Sequence, residues 1–408
     1  MKSGLIFLFL TVLLVSFSLN GENISDRIRL NGFLSQGFVY TTDNDFIPNS
    51  GKKGSFELAE FGITLSVDVT DRLHLGFQLL SRDFGNIGNH NLKLDWGFAD
   101  YRFADFFGIR VGKVKTPVAL YNEIRNTDAL YSMAVLPQSI YDEFYRSVFV
   151  AYEGLGIYGN LNFGSLGDFD YHMYYGSVSH TDDAPYIWQI KNVLNWGVAG
   201  SGVYVSDTRL DTESFYGGRM IWNTPLKGLR LAGSYAYLKA NMDSMLNIPL
   251  SQPSHLYGRM ELTGGFFLSL EYVLGDLTIS SEYMELPVDI FINTQGQDML
   301  MSDEIMQGYY VMVSYLFGDK LTLTFLYDHF YADKDDKEGL AAIAVGNPAY
   351  FHWQKDIAVG LRYDVNFNWT IKLEWHKIDG LSKSYIFSDP MGLTQKWNMI
   401  VAKCSFNF

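Results

Sequence analysis

Apolar and polar side chains alternate one by one in run after run of this sequence, and nothing else in it limits the fold as tightly. A period of two belongs to β-strands, whose successive side chains point to opposite faces. In residues 370–376, Ile371, Leu373 and Trp375 take one face while Lys372, Glu374 and His376 take the other. The same split separates Ile357, Val359, Leu361, Tyr363 and Val365 from Arg362 and Asp364, and Leu321, Leu323, Phe325 and Tyr327 from Thr322, Thr324 and Asp328. Helical spacing fits none of these runs.

Marking each run predicts sixteen strands, at 28–41, 54–69, 71–82, 91–104, 108–115, 147–162, 166–178, 214–223, 228–240, 255–274, 276–286, 305–317, 319–331, 352–366, 368–379 and 394–408. Short turns, at Thr70-Asp71, Ala104 to Phe107, Asn162 to Ser165, Asn223 to Lys227, Gly275, Gly318 and Phe367, alternate with long polar connections. A sandwich has no reason to sort its connections by length at every second strand. An antiparallel transmembrane β-barrel does, with short periplasmic turns and long extracellular loops. The fold class expected is therefore all-β, one closed barrel.

The ends and the composition agree. Met1-Lys2-Ser3 followed by the apolar run Leu5 to Leu19 reads as a secretory signal peptide over residues 1–21, leaving residues 22–408 as a single barrel domain. That run falls short of the roughly twenty residues a membrane-spanning helix needs, and no later segment reaches them. The chain is 16% aromatic, which suits a barrel girdled by Tyr, Trp and Phe at both lipid interfaces. A strand ending the chain in Phe408 is similar to the last strand of outer-membrane barrels. The net charge of −14 argues against a nucleic-acid partner. Cys404 stands alone, so no intramolecular disulfide and no cysteine-based metal centre is expected.

Residues 116–147 form a connection of some thirty residues, too rich in Leu, Tyr, Ile and Val for a solvated tail. Folded into the barrel it would bury those side chains, and Glu123, Arg125, Asp128, Asp142, Glu143 and Arg146 would narrow the pore and set its field. An external loop packing on a neighbouring subunit is the alternative. Arg125 is expected either to face the constriction or to pair with Glu123 or Asp128. By parity Arg82, Lys93, Arg110, Arg219, Arg230, Arg259, Arg362, Lys372 and Lys403 point inward, against Asp68, Asp95, Asp170, Glu261, Glu271, Glu282, Asp328, Asp364 and Glu374. The lumen is thus close to balanced, which predicts weak ion selectivity.

No Gly-x-Ser-x-Gly elbow, His-Glu-x-x-His helix, phosphate loop or dinucleotide fingerprint is present, so no enzyme, cofactor or metal site is expected. Asp333-Lys-Asp-Asp-Lys-Glu338 lacks the glycine and terminal Glu spacing of a calcium loop and reads as solvated charge.

The blocks Leu34-Ser-Gln-Gly-Phe-Val-Tyr40, Asp95-Trp-Gly-Phe-Ala-Asp100, Gly108-Ile-Arg110-Val-Gly-Lys113-Val-Lys115-Thr-Pro117, Tyr121-Asn-Glu-Ile-Arg125 and Leu136-Pro-Gln-Ser-Ile-Tyr141 resemble those of uncharacterised proteobacterial porins and, more distantly, the phosphate-selective porin O/P group. The similarity is densest over residues 30–145. The resemblance implies sixteen strands, a homotrimer in outer-membrane lipid and an inward third loop, in a channel for small hydrophilic solutes, anionic ones among the candidates. A loop-closed structural or adhesin barrel and a barrel-embedded hydrolase are the rival readings.

Overall fold

The computed structural model describes residues 27–85, 87–180, 184–197, 201–249, 251–294, 297–384 and 393–408. The expected leader at 1–21 lies outside them. Sixteen antiparallel strands close into one barrel. The first eight are β1 (Ile28–Thr41), β2 (Ser55–Asp68), β3 (Leu73–Phe84), β4 (Leu92–Ala104), β5 (Phe107–Lys115), β6 (Ala151–Asn162), β7 (Asp168–Ser177) and β8 (Tyr204–Asn223). The rest are β9 (Leu229–Asn247), β10 (Ser254–Leu274), β11 (Leu277–Thr294), β12 (Gln297–Phe317), β13 (Leu321–Tyr331), β14 (Trp353–Asp364), β15 (Trp369–Gly380) and β16 (Lys396–Asn407). Every strand pairs with its neighbours in sequence, and β1 closes the ring on β16 from Phe33↔Asn407 to Thr41↔Met399. The terminal Phe408 is part of that seam: its N–H donates to Gly32 O and its carbonyl accepts from Gly32 N, both at 3.0 Å. Closure leaves no unpaired strand edge, which a chain in lipid requires.

The alternation read from sequence is the inside–outside alternation of the wall. Along β15 the burial pattern strictly alternates, with Ile371, Leu373 and Trp375 exposed outward and Lys372, Glu374 and His376 buried within. Aromatic pairs ring the outer surface near the short turns, among them Phe169 with Trp222 and Trp369 with Phe406. A second ring, with Tyr216 on Tyr237 and Tyr309 on His329, stands toward the long loops. No helix among the described residues is long and apolar enough to cross a membrane.

Four strands overrun their expected limits at the long-loop end: β8 begins at Tyr204, β9 runs to Asn247, β11 to Thr294, and β12 starts at Gln297. These extensions carry charge outward, with Glu213 on Lys239 and Asp298 on Arg259, and their apolar residues Leu210, Met242 and Val288 pack inward, so the facing is the reverse of that expected lower in the wall.

Strands bulge at several places, among them β4 beside Gln78 and β8 near Glu213, and in β10 the bulge overturns an expected facing. The β10 register shifts between Leu262 and Phe266 on one side and between Leu262 and Gly265 on the other. Such a bulge adds a residue and reverses the faces beyond it. Leu262 and Met260 consequently pack inward, and Arg259 and Glu261, expected in the lumen, face outward and pair at 2.7 Å. One charge of each sign thereby leaves the lumen, while Glu60, Asp100 and Asp356, outside the expected set, join it beside Lys403, Arg110 and His376.

Candidate functional site

The connection between β5 and β6 folds into the barrel as expected. Its apolar side, with Val118, Leu120, Tyr121, Met133, Leu136 and Tyr141, packs on Phe267, Met284, Leu286, Tyr310, Met312 and Leu326 of the wall. Burial of this size drives the loop inward, since the same side chains outside would face water. Polar anchors then fix its path. Ala119 N donates to Ser234 Oγ on β9 at 3.1 Å, Leu120 N to Glu282 Oε1 on β11 at 2.8 Å, and Tyr121 OH to Glu271 Oε2 on β10 at 2.9 Å. Farther along, Asn126 Nδ2 donates to Asp95 Oδ2 at 2.6 Å and Ser139 N to Asp328 Oδ2 at 3.1 Å, while Ala134 N donates to Glu374. Two wall glycines permit the approach. A Cβ at Gly308 would stand 2.4 Å from Ser139 O, and one at Gly360 2.5 Å from Met133 Sδ.

One network joins several of the charged residues singled out in the sequence. Asp128 Oδ1 lies 3.1 Å from both Lys372 Nζ and Lys403 Nζ, and Ser405 Oγ donates to its Oδ2 at 2.6 Å. Burial alone would raise the Asp128 carboxyl, but Lys372 and Lys403 outweigh it and hold it at about 2. Lys403 continues to Glu60 at 3.2 Å, Glu60 to Arg82 at 3.2 Å, and Arg82 to Glu143 at 2.7 Å. Glu143 also receives Arg125 at 3.2 Å and Arg146 at 3.6 Å. Burial works to raise the Glu143 carboxyl, and Arg82, Arg146 and Arg125 together keep it below the usual carboxylate range.

Arg125 is only 4% exposed and donates to Tyr141 O at 2.9 Å as well as to Glu143. Its partner is on the returning limb of the loop, not Glu123 or Asp128, because the two limbs run past each other inside the barrel. Asp142 pairs with Lys383 from the β15–β16 connection, a partner that alternation could not reveal because Lys383 is in no strand. Arg362 binds Asp364 at 2.9 Å and donates to Ala129 O at 2.8 Å, and Arg230 binds Glu271 at 2.8 Å. Lys115, whose direction parity leaves open, turns in to Asp95 at 2.5 Å.

The loop presses against the β9–β16 and β2–β3 walls and leaves space on the other side. A cavity of about 270 Å³ is lined there by Arg102, Arg110, Glu123, Tyr158, Asp170, His172 and Arg219, among others. Glu123 binds Arg219, and Arg110 binds Asp100 at 2.6 Å and lies over the Tyr158 ring at 4.3 Å. Toward the long loops the cavity meets a buried aromatic layer of Tyr152, Tyr174 and Phe215. Over that layer packs the loop helix Pro185–Gly197, through Tyr186 and Ile187. Glu123, Arg110 and Arg219 therefore line open space, whereas Arg82, Arg125, Asp128, Asp142, Arg146 and Lys372 are fully buried or nearly so.

His376 lies between Asp356 Oδ2 at 2.7 Å and Glu374 Oε2 at 3.2 Å, beneath the loop and 1% exposed. Among the described residues no cluster of three His, Cys, Asp or Glu is set to hold a metal ion.

No protein-family model matches the sequence, and no curated protein does. Solved structures do. The anion-selective porin of Comamonas acidovorans superposes with a TM-score of 0.54 at 13% identity, covering 93% of this chain and 99% of that one. The fold is that of the outer-membrane porins. OmpF of Salmonella typhi, in complex with daunomycin, matches with a TM-score of 0.55 at 14% identity, over 93% of this chain and 97% of its own. The outer-membrane channel DcaP of Acinetobacter baumannii gives 0.54 at 10%, again over 93% and 97%. At these identities the shared property is the sixteen-strand porin barrel.

Proposed function

We propose that this chain, exported by a leader at residues 1–21, is a Gram-negative outer-membrane channel for passive diffusion of small hydrophilic solutes. The observation that carries the reading is the inward loop. It is bound to the wall on most of its perimeter and leaves a polar cavity against β4–β8, the arrangement of a constricted pore. Arg102, Arg110 and Arg219 face Asp105, Glu123 and Asp170 around that cavity, which supports weak selectivity rather than a strong anion preference. The apolar outward faces of β13–β15 suit outer-membrane lipid. Gln36 and Glu57, outward among apolar neighbours on β1 and β2, are groups that a subunit contact would cover, in keeping with a homotrimer.

Planar-bilayer recording of the purified full-length protein tests the reading. Ohmic channel steps are expected, and their absence sinks it. A loop-closed structural barrel is the second reading, favoured by the Tyr152, Tyr174 and Phe215 layer and the helix above it; it predicts a silent bilayer. A barrel-embedded hydrolase predicts lipase or protease turnover by the same preparation, and we expect none.

A further inference from the structure

Two carboxylates stand directly opposite each other on the inner wall near its long-loop end, Asp328 on β13 and Asp356 on β14. Side chains so placed have Cβ atoms about 4.5–5.5 Å apart, and like charges there repel. Both residues are buried, at 5% and 7% exposure. Each spends one oxygen on a protein partner: Asp328 Oδ2 accepts from Ser139 N of the inward loop at 3.1 Å, and Asp356 Oδ2 accepts from His376 Nδ1 at 2.7 Å. The other oxygen of each, Oδ1 in both, is buried with no hydrogen-bond partner. The hydroxyl of Ser139, fully buried on the residue that joins loop to wall, lacks one too. A buried polar atom left unmatched is uncommon, and three on neighbouring side chains mark a missing partner.

The surrounding charges point the same way. Glu374 Oε2 lies 3.2 Å from the second ring nitrogen of His376, so both nitrogens donate and the ring is an imidazolium. Lys383 is the other cation there, bound to Asp142 and lying 3.4 Å from the Phe330 ring centroid. Asp328, Asp356, Glu374 and Asp142 set against His376 and Lys383 leave two negative charges over. A surplus of that size away from water calls for a counter-charge.

We propose that Asp328 Oδ1, Asp356 Oδ1 and Ser139 Oγ hold one hard divalent cation, calcium or magnesium, which clamps the inward loop to β13 and β14. All three donors are oxygen, and both His376 nitrogens are already engaged, which favours those ions over zinc or copper. A doubly charged ion matches the surplus, whereas a shared proton or a sodium ion would leave half of it. Water completes the coordination shell. The donors are two carboxylates and a hydroxyl, so the site needs no trio of His, Cys, Asp or Glu. The inference does not rest on conduction, because cation binding is read on the isolated barrel.

The test uses the full-length barrel in neutral detergent, stripped with EDTA and titrated with calcium or magnesium chloride. Sodium chloride at about 0.15 M screens the exposed loop carboxylates, and binding is read by calorimetry and by thermal unfolding. One equivalent should bind with a Kd of about 10⁻⁵–10⁻³ M, and the tighter ion is the occupant. Asp328→Asn keeps an oxygen for Ser139 N and should bind about 30-fold more weakly. It should also unfold at a higher temperature than the unaltered chain in EDTA, where repulsion is relieved, and at a lower one in saturating cation. Asp335→Asn, at an exposed loop carboxylate, should match the unaltered chain. Ser139→Ala keeps the loop's backbone anchor and should weaken binding several-fold, so the site stays testable if Asp328→Asn does not fold. Unchanged affinity in either site variant overturns the clamp, and so does an unaltered chain whose unfolding ignores both ions, which would leave a proton or water between the carboxyls. Normal channel steps without cation binding refute this inference alone, and stoichiometric binding by a barrel silent in bilayers refutes the channel reading alone.

Discussion

Removing the Glu282 carboxylate should loosen the inward loop without opening the wall. Glu282 is 1% exposed and accepts four donors: Leu120 N at 2.8 Å, Ser269 Oγ at 2.6 Å, Tyr310 OH at 2.8 Å, and Tyr141 OH. Two of the four belong to the loop. Hydrogen bonds to a charged acceptor contribute about 1.5–3 kcal/mol each, so the gross loss in Glu282→Ala is about 6–12 kcal/mol. Relief from keeping a carboxylate out of water returns several kcal/mol, and a net cost of about 3–5 kcal/mol remains. The β10–β11–β12 ladder uses backbone groups and survives. About half of the cost, the share of Leu120 N and Tyr141 OH, falls on the loop, whose displaced state rises by about one to two orders of magnitude. In planar bilayers Glu282→Ala should show larger and noisier single-channel steps, and limited proteolysis should reach the loop. Glu282→Gln, whose amide oxygen still accepts, should fall between the two. If Glu282→Ala leaves conductance, noise and protease resistance as they were, the loop is not held by this carboxylate and the anchoring argument is wrong.

Arg125→Ala should raise channel noise and lower thermal stability by about 2 kcal/mol without moving the reversal potential, because the guanidinium is buried against Glu143 and Tyr141 O; a selectivity shift would show that it reaches the pore. Arg219→Glu, beside Glu123 in the cavity, should move the reversal potential in asymmetric salt toward cations, from a starting permeability ratio below about tenfold. Asp128 gives a pH dependence whose sign follows from its depressed pKa. Folding keeps its carboxyl at about 2 against an ordinary 3.8, so its contribution, about 2–3 kcal/mol, is present above pH 4 and lost as pH falls through 2. Unfolding of Asp128→Asn should depend less on pH between 5 and 2 than that of the unaltered chain, and parallel curves would contradict the assignment.

Strand number, order and facing were legible in the sequence wherever one face meets an apolar medium and the other a polar one. Thr370 to His376 shows why: each outward residue is apolar, each inward one polar, and a slip by one residue would reverse both. The outer extensions of β8, β9, β11 and β12 escaped because their outward side carries charge, as at Glu213, while their apolar residues Leu210, Met242 and Val288 pack inward under the loop helix, the reverse of the facing elsewhere. The bulge near Gly264 escaped for a different reason. One added residue on β10 leaves each local run alternating correctly, and only the partner strands reveal that Arg259 and Glu261 have changed sides.

The sequence by itself determined a sixteen-strand wall and a loop too apolar to remain outside, since each follows from local periodicity and from the cost of exposing hydrocarbon to water. Tertiary structure alone decided which charges meet. Arg125 takes Glu143, Asp142 takes Lys383, and Asp128 sits between Lys372 and Lys403, more than two hundred residues away. Those pairings depend on where the closed wall brings distant strands against the loop, a three-dimensional coincidence that no spacing along the chain encodes.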